Sequence, residues 1–339
     1  MTGTDETLIH RLMQPGDTKM VLLIMDGLGG LPRETGGQTE LETAFTPHMD
    51  ALAEHSALGL TIPVANGITT GSGPGHLAIF GYDPIRYEIG RGALEALGVD
   101  FDLYPDDVAA RGNFCTIDAD GLLVDRRGGR IPNKQADELL DLLRTIRVEG
   151  AEIYLRRIKE HRFAFVMRAA EGRPPLGDGL TETDPLIPGR PLLDVKATRP
   201  DSTRAADIAN RFLAEAKRLL EDRRPSNMIT LRGFAKLPVL PQYAERFHLK
   251  AACVPVNGMY RGVARLAGMR VLDVDGAEIA DEFSTLEKYW KDYGFFYMHV
   301  KQTDTYGELG DFDAKVKVIE EVDRQFPRLT TLNPDVIII

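Results

Sequence analysis

At 339 residues the chain has the length of about two domains of ordinary size, and 43% hydrophobic with 27% charged residues is a folding composition. A formal net charge of −10 offers no basic surface for nucleic acid or an anionic membrane. No apolar run approaches the ~20 residues a membrane span needs. Two cysteines without metal-binding spacing, Cys115 and Cys253, suit a reducing compartment, and the polar stretch 1–19 has no secretory core, so a cytoplasmic location is expected.

In chain order, Val21-Leu22-Leu23-Ile24-Met25 reads as a strand buried on both faces of a parallel sheet, ending on Asp26-Gly27. Ligands in open α/β sheets sit past the carboxyl ends of strands, so Asp26 is a candidate metal ligand there. The strand alone leaves open that Asp26 only closes the following turn. Thr46-Pro47-His48-Met49 opens a helix, and 59–64 is a second strand candidate. Then Gly71-Ser72-Gly73-Pro74-Gly75-His76 approaches another helix, whose unpaired N–H groups suit a phosphate. Ser72 at that mouth is either a nucleophile or a helix N-cap.

From about residue 102 the texture becomes α+β. A hairpin turn at Ala119-Asp120-Gly121 joins 111–118 to 122–125, a helix spans 135–144, and strands span 151–156 and 162–168. A Pro/Gly-rich loop covers 172–191, and apolar residues at helical spacing from Ile208 to Leu220 mark a long helix. After Arg223-Arg224-Pro225-Ser226 the strand–helix alternation is expected to resume. Strands are predicted at 227–231, 251–254, 295–300 and 336–339, with helices at 259–266 and 314–325. The expected architecture is one α/β domain built from 1–102 and 227–339, interrupted by an inserted domain at 103–226.

Three features share this framework: Asp26 after a strand, Ser72 at a helix mouth, Asp304 after a later strand. With the motifs around them they resemble the alkaline phosphatase superfamily, and within it the cofactor-independent phosphoglycerate mutases of archaeal type. The matching stretches are Met25-Asp26-Gly27, the run from Ser72 to Leu77 with its serine and histidine, Gly81-Tyr82-Asp83-Pro84, and 90–98. Further matches are 113–118, 125–130, 231–236 and 310–316, so the resemblance runs from about residue 20 to 339.

The resemblance implies an alkaline-phosphatase-like three-layer domain carrying an inserted substrate (cap) domain. It implies an isomerase that interconverts 3-phosphoglycerate and 2-phosphoglycerate, in glycolysis and gluconeogenesis, without 2,3-bisphosphoglycerate. Ser72 is then the nucleophile that forms a phosphoserine, next to two divalent metal ions. Asp26, Ser72, Asp304 and Glu308 are the implied metal ligands. Glu308 stands where the family pattern has histidine, which points to Mn²⁺ or Mg²⁺ over Zn²⁺, unless Glu308 is simply a surface acid. Arg111, Arg126, Arg130 and Arg162 of the insert, with Arg232 and Lys236, are the implied grips on the carboxylate and phosphate of the substrate, against the default of a solubilising surface charge. His76 reads as a packing residue and His48 and His55 as ordinary helix residues.

The family's Asp-His pair after the last strand lies beyond Ile339. On that ground the phosphatase-like domain is expected to be shortened at its C-terminus. Related readings are a metal-dependent phosphohydrolase, a phosphopentomutase, or a non-catalytic member of the family. No nucleic-acid or membrane partner is expected.

Overall fold

The computed structural model describes residues 12–255 and 258–339. The chain opens with strand β1 (Met20–Met25) and two short helices, α1 (Glu40–Thr43) and α2 (Pro47–Ala53). It continues through α3 (Ser72–Ile79), α4 (Arg91–Gly98), β2 (Val108–Ile117), β3 (Leu123–Asp125) and α5 (Asn133–Leu143). Then come β4 (Ala151–Lys159), β5 (Arg162–Ala169), α6 (Thr203–Leu220) and β6 (Met228–Ala235). The last part holds α7 (Tyr243–Phe247), β7 (Ala251–Pro255), α8 (Gly258–Leu266), β8 (Arg270–Val271) and α9 (Ile279–Tyr289). It ends with β9 (Phe295–Val300), α10 (Gln302–Leu309), α11 (Phe312–Thr331) and β10 (Val336–Ile338). No helix among the described residues is long and apolar enough to cross a membrane.

Two compact units result, Met1–Ile62 with Leu240–Ile339, and Pro63–Val239. The first is built on a five-stranded sheet in the order β10-β1-β9-β7-β8, with every pairing parallel. Parallel strands need cover on their faces, which accounts for the near-continuous apolar runs of β1 and β9. One face carries Val21, Leu23, Met25, Phe296, Met298 and Val300, packed against Phe283 and Leu286 of α9 and Ile319, Val322 and Phe326 of α11. Full burial of an aromatic ring such as Phe296 stabilises by about 2–3 kcal/mol.

The second unit holds an antiparallel sheet, β3-β2-β5-β4, with β6 paired to β2. Its core sets Phe114, Phe163 and Phe165 against Leu139 and Leu140 of α5 and Ile208, Phe212 and Leu213 of α6. The hairpin turn forms as expected: Asp118 Oδ1 accepts from the N–H groups of Asp120 and Leu122 at 3.0 and 2.8 Å.

Three expectations are corrected. Residues 59–62 form no strand and stay exposed, because Gly59 and Pro63 bracket the apolar pair and Pro63 has no N–H to donate. The strand at 227–231 is β6, but it pairs antiparallel with β2 in the second unit instead of extending the parallel sheet. The division therefore falls at 62/63 and 239/240, not at the expected 102/103 and 226/227, and Ser72 and α4 go with the second unit.

Candidate active site

In the first unit, β1 delivers Asp26 at the carboxyl end of the sheet. Its backbone N–H donates to Val300 O of the neighbouring β9 at 2.9 Å, and its own carbonyl accepts from Thr303 Oγ1 at 2.5 Å. The side chain is the hub of a cluster. Asp26 Oδ2 accepts from Tyr260 Oη at 2.7 Å and from Lys301 Nζ at 2.8 Å, with His299 Nε2 at 3.6 Å. Lys301 also donates to Asp304 Oδ2, in the first turn of α10. The ring of Tyr260 lies on that of His299, centroids 3.8 Å apart.

The charges follow from this packing. Burial alone would raise the Asp26 carboxyl, but the nearby His299 ring and the bonds from Lys301 and Tyr260 outweigh it and hold Asp26 well below the usual carboxylate range. Burial keeps His299 below the ordinary imidazole range against the pull of Asp26, so its ring is neutral at pH 7. Lys301 is raised despite partial burial, because Asp26 and Asp304 both accept from it. The cluster is an ammonium held between two ionised carboxylates.

Gly27 makes the approach possible. Its φ of +63° is left-handed, and a Cβ there would lie 2.7 Å from Asp304 Cα, Cβ and Oδ1. A pair of aspartates converging on one positive charge, with glycine leaving the space beside them, suits a hard divalent cation. Among the described residues, no group of three or more His, Cys, Asp and Glu is gathered for a metal. Glu308, one turn past Asp304, lines the same cleft of about 870 Å³ as Asp304 and Gly27, but it is exposed and stays outside the Lys301 cluster.

In the second unit Ser72 is the first residue of α3, exposed, and the cap position belongs to Gly71. The helix has no side-chain cap bond, so the N-cap reading of Ser72 is not what this structure shows. Four residues on, buried His76 sets Nδ1 2.9 Å from Ser72 O, tying the first turn together.

The six implied cationic grips fall into two groups. Arg126 makes bonds of 2.7–3.2 Å to buried Asp184. Arg232 donates to Glu182 at 2.9 Å and Asp184 at 3.4 Å, and Lys236 to Asp106 at 3.2 Å. These three are engaged by carboxylates. Arg130 and Arg162 are exposed and form no ion pair among the described residues. Arg111 is largely buried, has only Glu95 at 3.7 Å, and its Nε has no acceptor among the described residues. Burial first, then the like charges of Arg91, Arg232 and Arg162, pull the Arg111 guanidinium below its ordinary value. An anion beside Arg111 would relieve this repulsion.

The whole chain can now be set beside known proteins. Residues 53–226 match the family model for 2,3-bisphosphoglycerate-independent phosphoglycerate mutase. A probable mutase of that name from Thermosipho africanus is 47% identical over 336 residues, which is 98% of this chain and 82% of the relative. The chain belongs to this family. A second relative of the same name, from Aquifex aeolicus, is 42% identical over 98% of this chain and 83% of its own length. Among solved structures, the cofactor-independent phosphoglycerate mutase of Thermoplasma acidophilum superposes with a TM-score of 0.74 at 30% identity, covering 94% of this chain and 86% of that one. The PH0037 protein of Pyrococcus horikoshii gives the same TM-score at 29% identity, over 94% and 81%.

Sequence reasoning missed four residues that the structure sets beside the candidates: Tyr260, His299 and Lys301 around Asp26, and Arg91 near Arg111. Two were within reach. His299 is a polar residue in an apolar strand, and Lys301 precedes Asp304 by three residues, one helical turn. Tyr260 and Arg91 carry no local signal, since only tertiary packing brings them in.

Proposed function

We propose that this chain interconverts 3-phosphoglycerate and 2-phosphoglycerate without 2,3-bisphosphoglycerate. The observation that carries the reading is the chain-long match, 47% identical over 98% of the residues, to a protein named for that activity. In this reading the first unit is the alkaline-phosphatase-like domain and the second the substrate domain. Two free, buried cysteines support a cytoplasmic enzyme.

Ser72 is the group that accepts the phosphoryl. Its Oγ gives up its proton and bonds to phosphorus as the bond from phosphorus to the C3 oxygen breaks, and that oxygen gains a proton. The bound glycerate reorients, its C2 oxygen attacks the phosphoserine and loses its proton, and Ser72 Oγ is regenerated. Since the same molecule receives the group back, no bisphosphorylated activator is consumed. Unpaired N–H groups in the first turn of α3 favour negative charge beside Ser72.

Arg111, Arg130 and Arg162, with Arg91, hold the carboxylate and phosphate in this reading; the unpaired Arg111 Nε supports it. Arg126, Arg232 and Lys236 are read as structural partners of Asp184, Glu182 and Asp106. Asp26 and Asp304 are the residues that would hold two divalent ions, one each, Mn²⁺ or Mg²⁺ by the oxygen chemistry of the donors, with Glu308 lining the same cleft as Asp304. When bound, such an ion supplies the charge that makes an alcohol oxygen a nucleophile at neutral pH and offsets the charge on the phosphoryl oxygens.

The test is formation of 2-phosphoglycerate from 3-phosphoglycerate, with Mn²⁺ present and 2,3-bisphosphoglycerate absent. Metal-dependent turnover is expected. A strict requirement for added bisphosphoglycerate, or net release of phosphate in place of isomerisation, would contradict the reading.

A further inference from the structure

The antiparallel sheet of the second unit has two unlike faces. Along β2, Val108, Ala110 and Phe114 join the apolar core with α5 and α6. Ala109, Arg111 and Asn113 alternate with them and occupy the other face. Register carries that face across the neighbouring strands. Arg111 is opposite Ala164 of β5 and Arg232 of β6, and Asn113 is opposite Arg162 of β5 and Thr230 of β6. Ala109, Ala164 and Val166 pack against Ala96 of α4 and Phe101. The rest of the face here is polar: Arg111, Arg162, Arg232, Asn113 and Thr230.

Two of these side chains are deeply buried, Asn113 at 6% and Thr230 at 1% exposed. Asn113 Oδ1 and Thr230 Oγ1 are shut off from solvent, and neither has a hydrogen-bond partner among the described residues. A face that needed only packing would carry apolar side chains at both positions, since an unbonded buried oxygen opposes folding. The arginines beside them donate to neither oxygen. The carboxylate and phosphate of the substrate only accept, so they offer nothing to Asn113 Oδ1. An alcohol fits both groups. Its O–H donates to Asn113 Oδ1, and its oxygen accepts from Thr230 Oγ1.

From this juxtaposition we infer that Asn113 and Thr230 recognise the free hydroxyl of the bound phosphoglycerate, beside the arginines that hold its carboxylate. They are specificity-determining residues, which make the site selective for phosphorylated hydroxy acids over the same acids without the hydroxyl. An analogue lacking that group leaves both oxygens buried and unbonded, and sites built to bond a hydroxyl reject such analogues strongly. The inference rests on the mutase reading of this chain and deepens it.

The test compares 3-phosphoglycerate with 3-phosphonooxypropanoate, the same molecule without its C2 hydroxyl, on wild type, Thr230→Val and Asn113→Ala. Mutase rates with Mn²⁺ give KM, and inhibition of the same reaction gives Ki for the deoxy analogue. In the wild type, Ki is expected to exceed KM by about 10- to 100-fold. In each variant KM is expected to rise about tenfold while Ki stays within about twofold. Equal rises in KM and Ki make the two residues structural and overturn the inference, as does no change in either. Thr230→Val keeps the side-chain shape and carries the test if Asn113→Ala does not fold. Its Tm without substrate is expected to stay level or rise, because an unbonded hydroxyl is removed. A fall of more than about 2 °C shows that the protein itself bonds the hydroxyl, and overturns the inference. The wild-type rates report on the underlying reading separately. Mutase turnover with the same Ki-to-KM ratio in the variants sinks the inference alone, whereas a wild type that does not isomerise 3-phosphoglycerate sinks both.

Discussion

The two units handle charge in opposite ways. In the first, a parallel sheet brings Asp26 and Asp304 to its carboxyl edge and balances them with one shared cation, Lys301. In the second, an antiparallel sheet carries more arginines than acids on its strands, and several of the unit's cations are held by carboxylates. Asp184 is bonded to Arg126 and Arg232, Asp107 to Arg168, and Asp106 to Lys236. The two clusters differ in sign: two carboxylates around one ammonium in the first unit, and Arg111, Arg130 and Arg162 in the second. These clusters are where ligands of opposite charge are expected, a cation in the first and a phosphorylated anion in the second.

The strongest way to break this comparison is at the group assigned to neither charge excess. Ser72→Ala is expected to reduce mutase turnover by at least about 10³-fold while leaving Tm within about 1 °C, because the side chain is exposed and makes no cap bond. Initial rates and a melting curve on the same preparation check it.

Within the second unit, arginines that are paired and arginines that are not should fail differently. Arg126→Ala leaves the buried Asp184 carboxylate with the longer contact from Arg232 and the Leu186 N–H in place of its bidentate partner, and is expected to cost about 3 kcal/mol of stability by urea unfolding. Arg111→Ala relieves repulsion among arginines, so stability should change little. In exchange, KM for 3-phosphoglycerate should rise about 10- to 100-fold.

A third prediction sharpens the electrostatics of the first unit away from its site. Glu282 of α9 is fully buried, neither oxygen has a hydrogen-bond partner among the described residues, and burial pushes its carboxyl up to about 8. The unfolded chain loses this proton near the ordinary carboxyl value of 4.5, whereas the folded protein keeps it until about pH 8. Between those values the folded state binds more protons, so stability falls as pH rises, by on the order of 1 kcal/mol per pH unit. Glu282→Gln should flatten that slope in unfolding curves taken across this window. At the other extreme, Arg33 pairs with Asp313 at 2.6 Å on the open surface. Arg33→Ala should change stability by less than about 0.5 kcal/mol.

These contrasts also set what the sequence could disclose. The parallel strands were legible because burial on both faces leaves an uninterrupted apolar run, as in Val21-Leu22-Leu23-Ile24-Met25 and Phe295-Phe296-Tyr297-Met298. Strand partners were not. β6 has the apolar start of a parallel-sheet strand, yet it pairs with β2, a choice made by side chains remote in sequence. With two residues, β8 is too short to carry a pattern. At the site, the acids were found from their position after strands, while Lys301 was overlooked because lysine is usually a surface charge. The arginine partners could not be read either: Arg126 and Asp184 lie 58 residues apart, and no local periodicity joins them.

The central claim is that the phosphoryl group travels through Ser72. It is tested most directly by mixing the protein with 3-phosphoglycerate and Mn²⁺, quenching in acid, and mapping phosphate by peptide mass spectrometry. The account predicts phosphate on Ser72, formed and lost fast enough to keep pace with turnover. Turnover with Ser72 unmodified, or with phosphate carried on another residue, would contradict it.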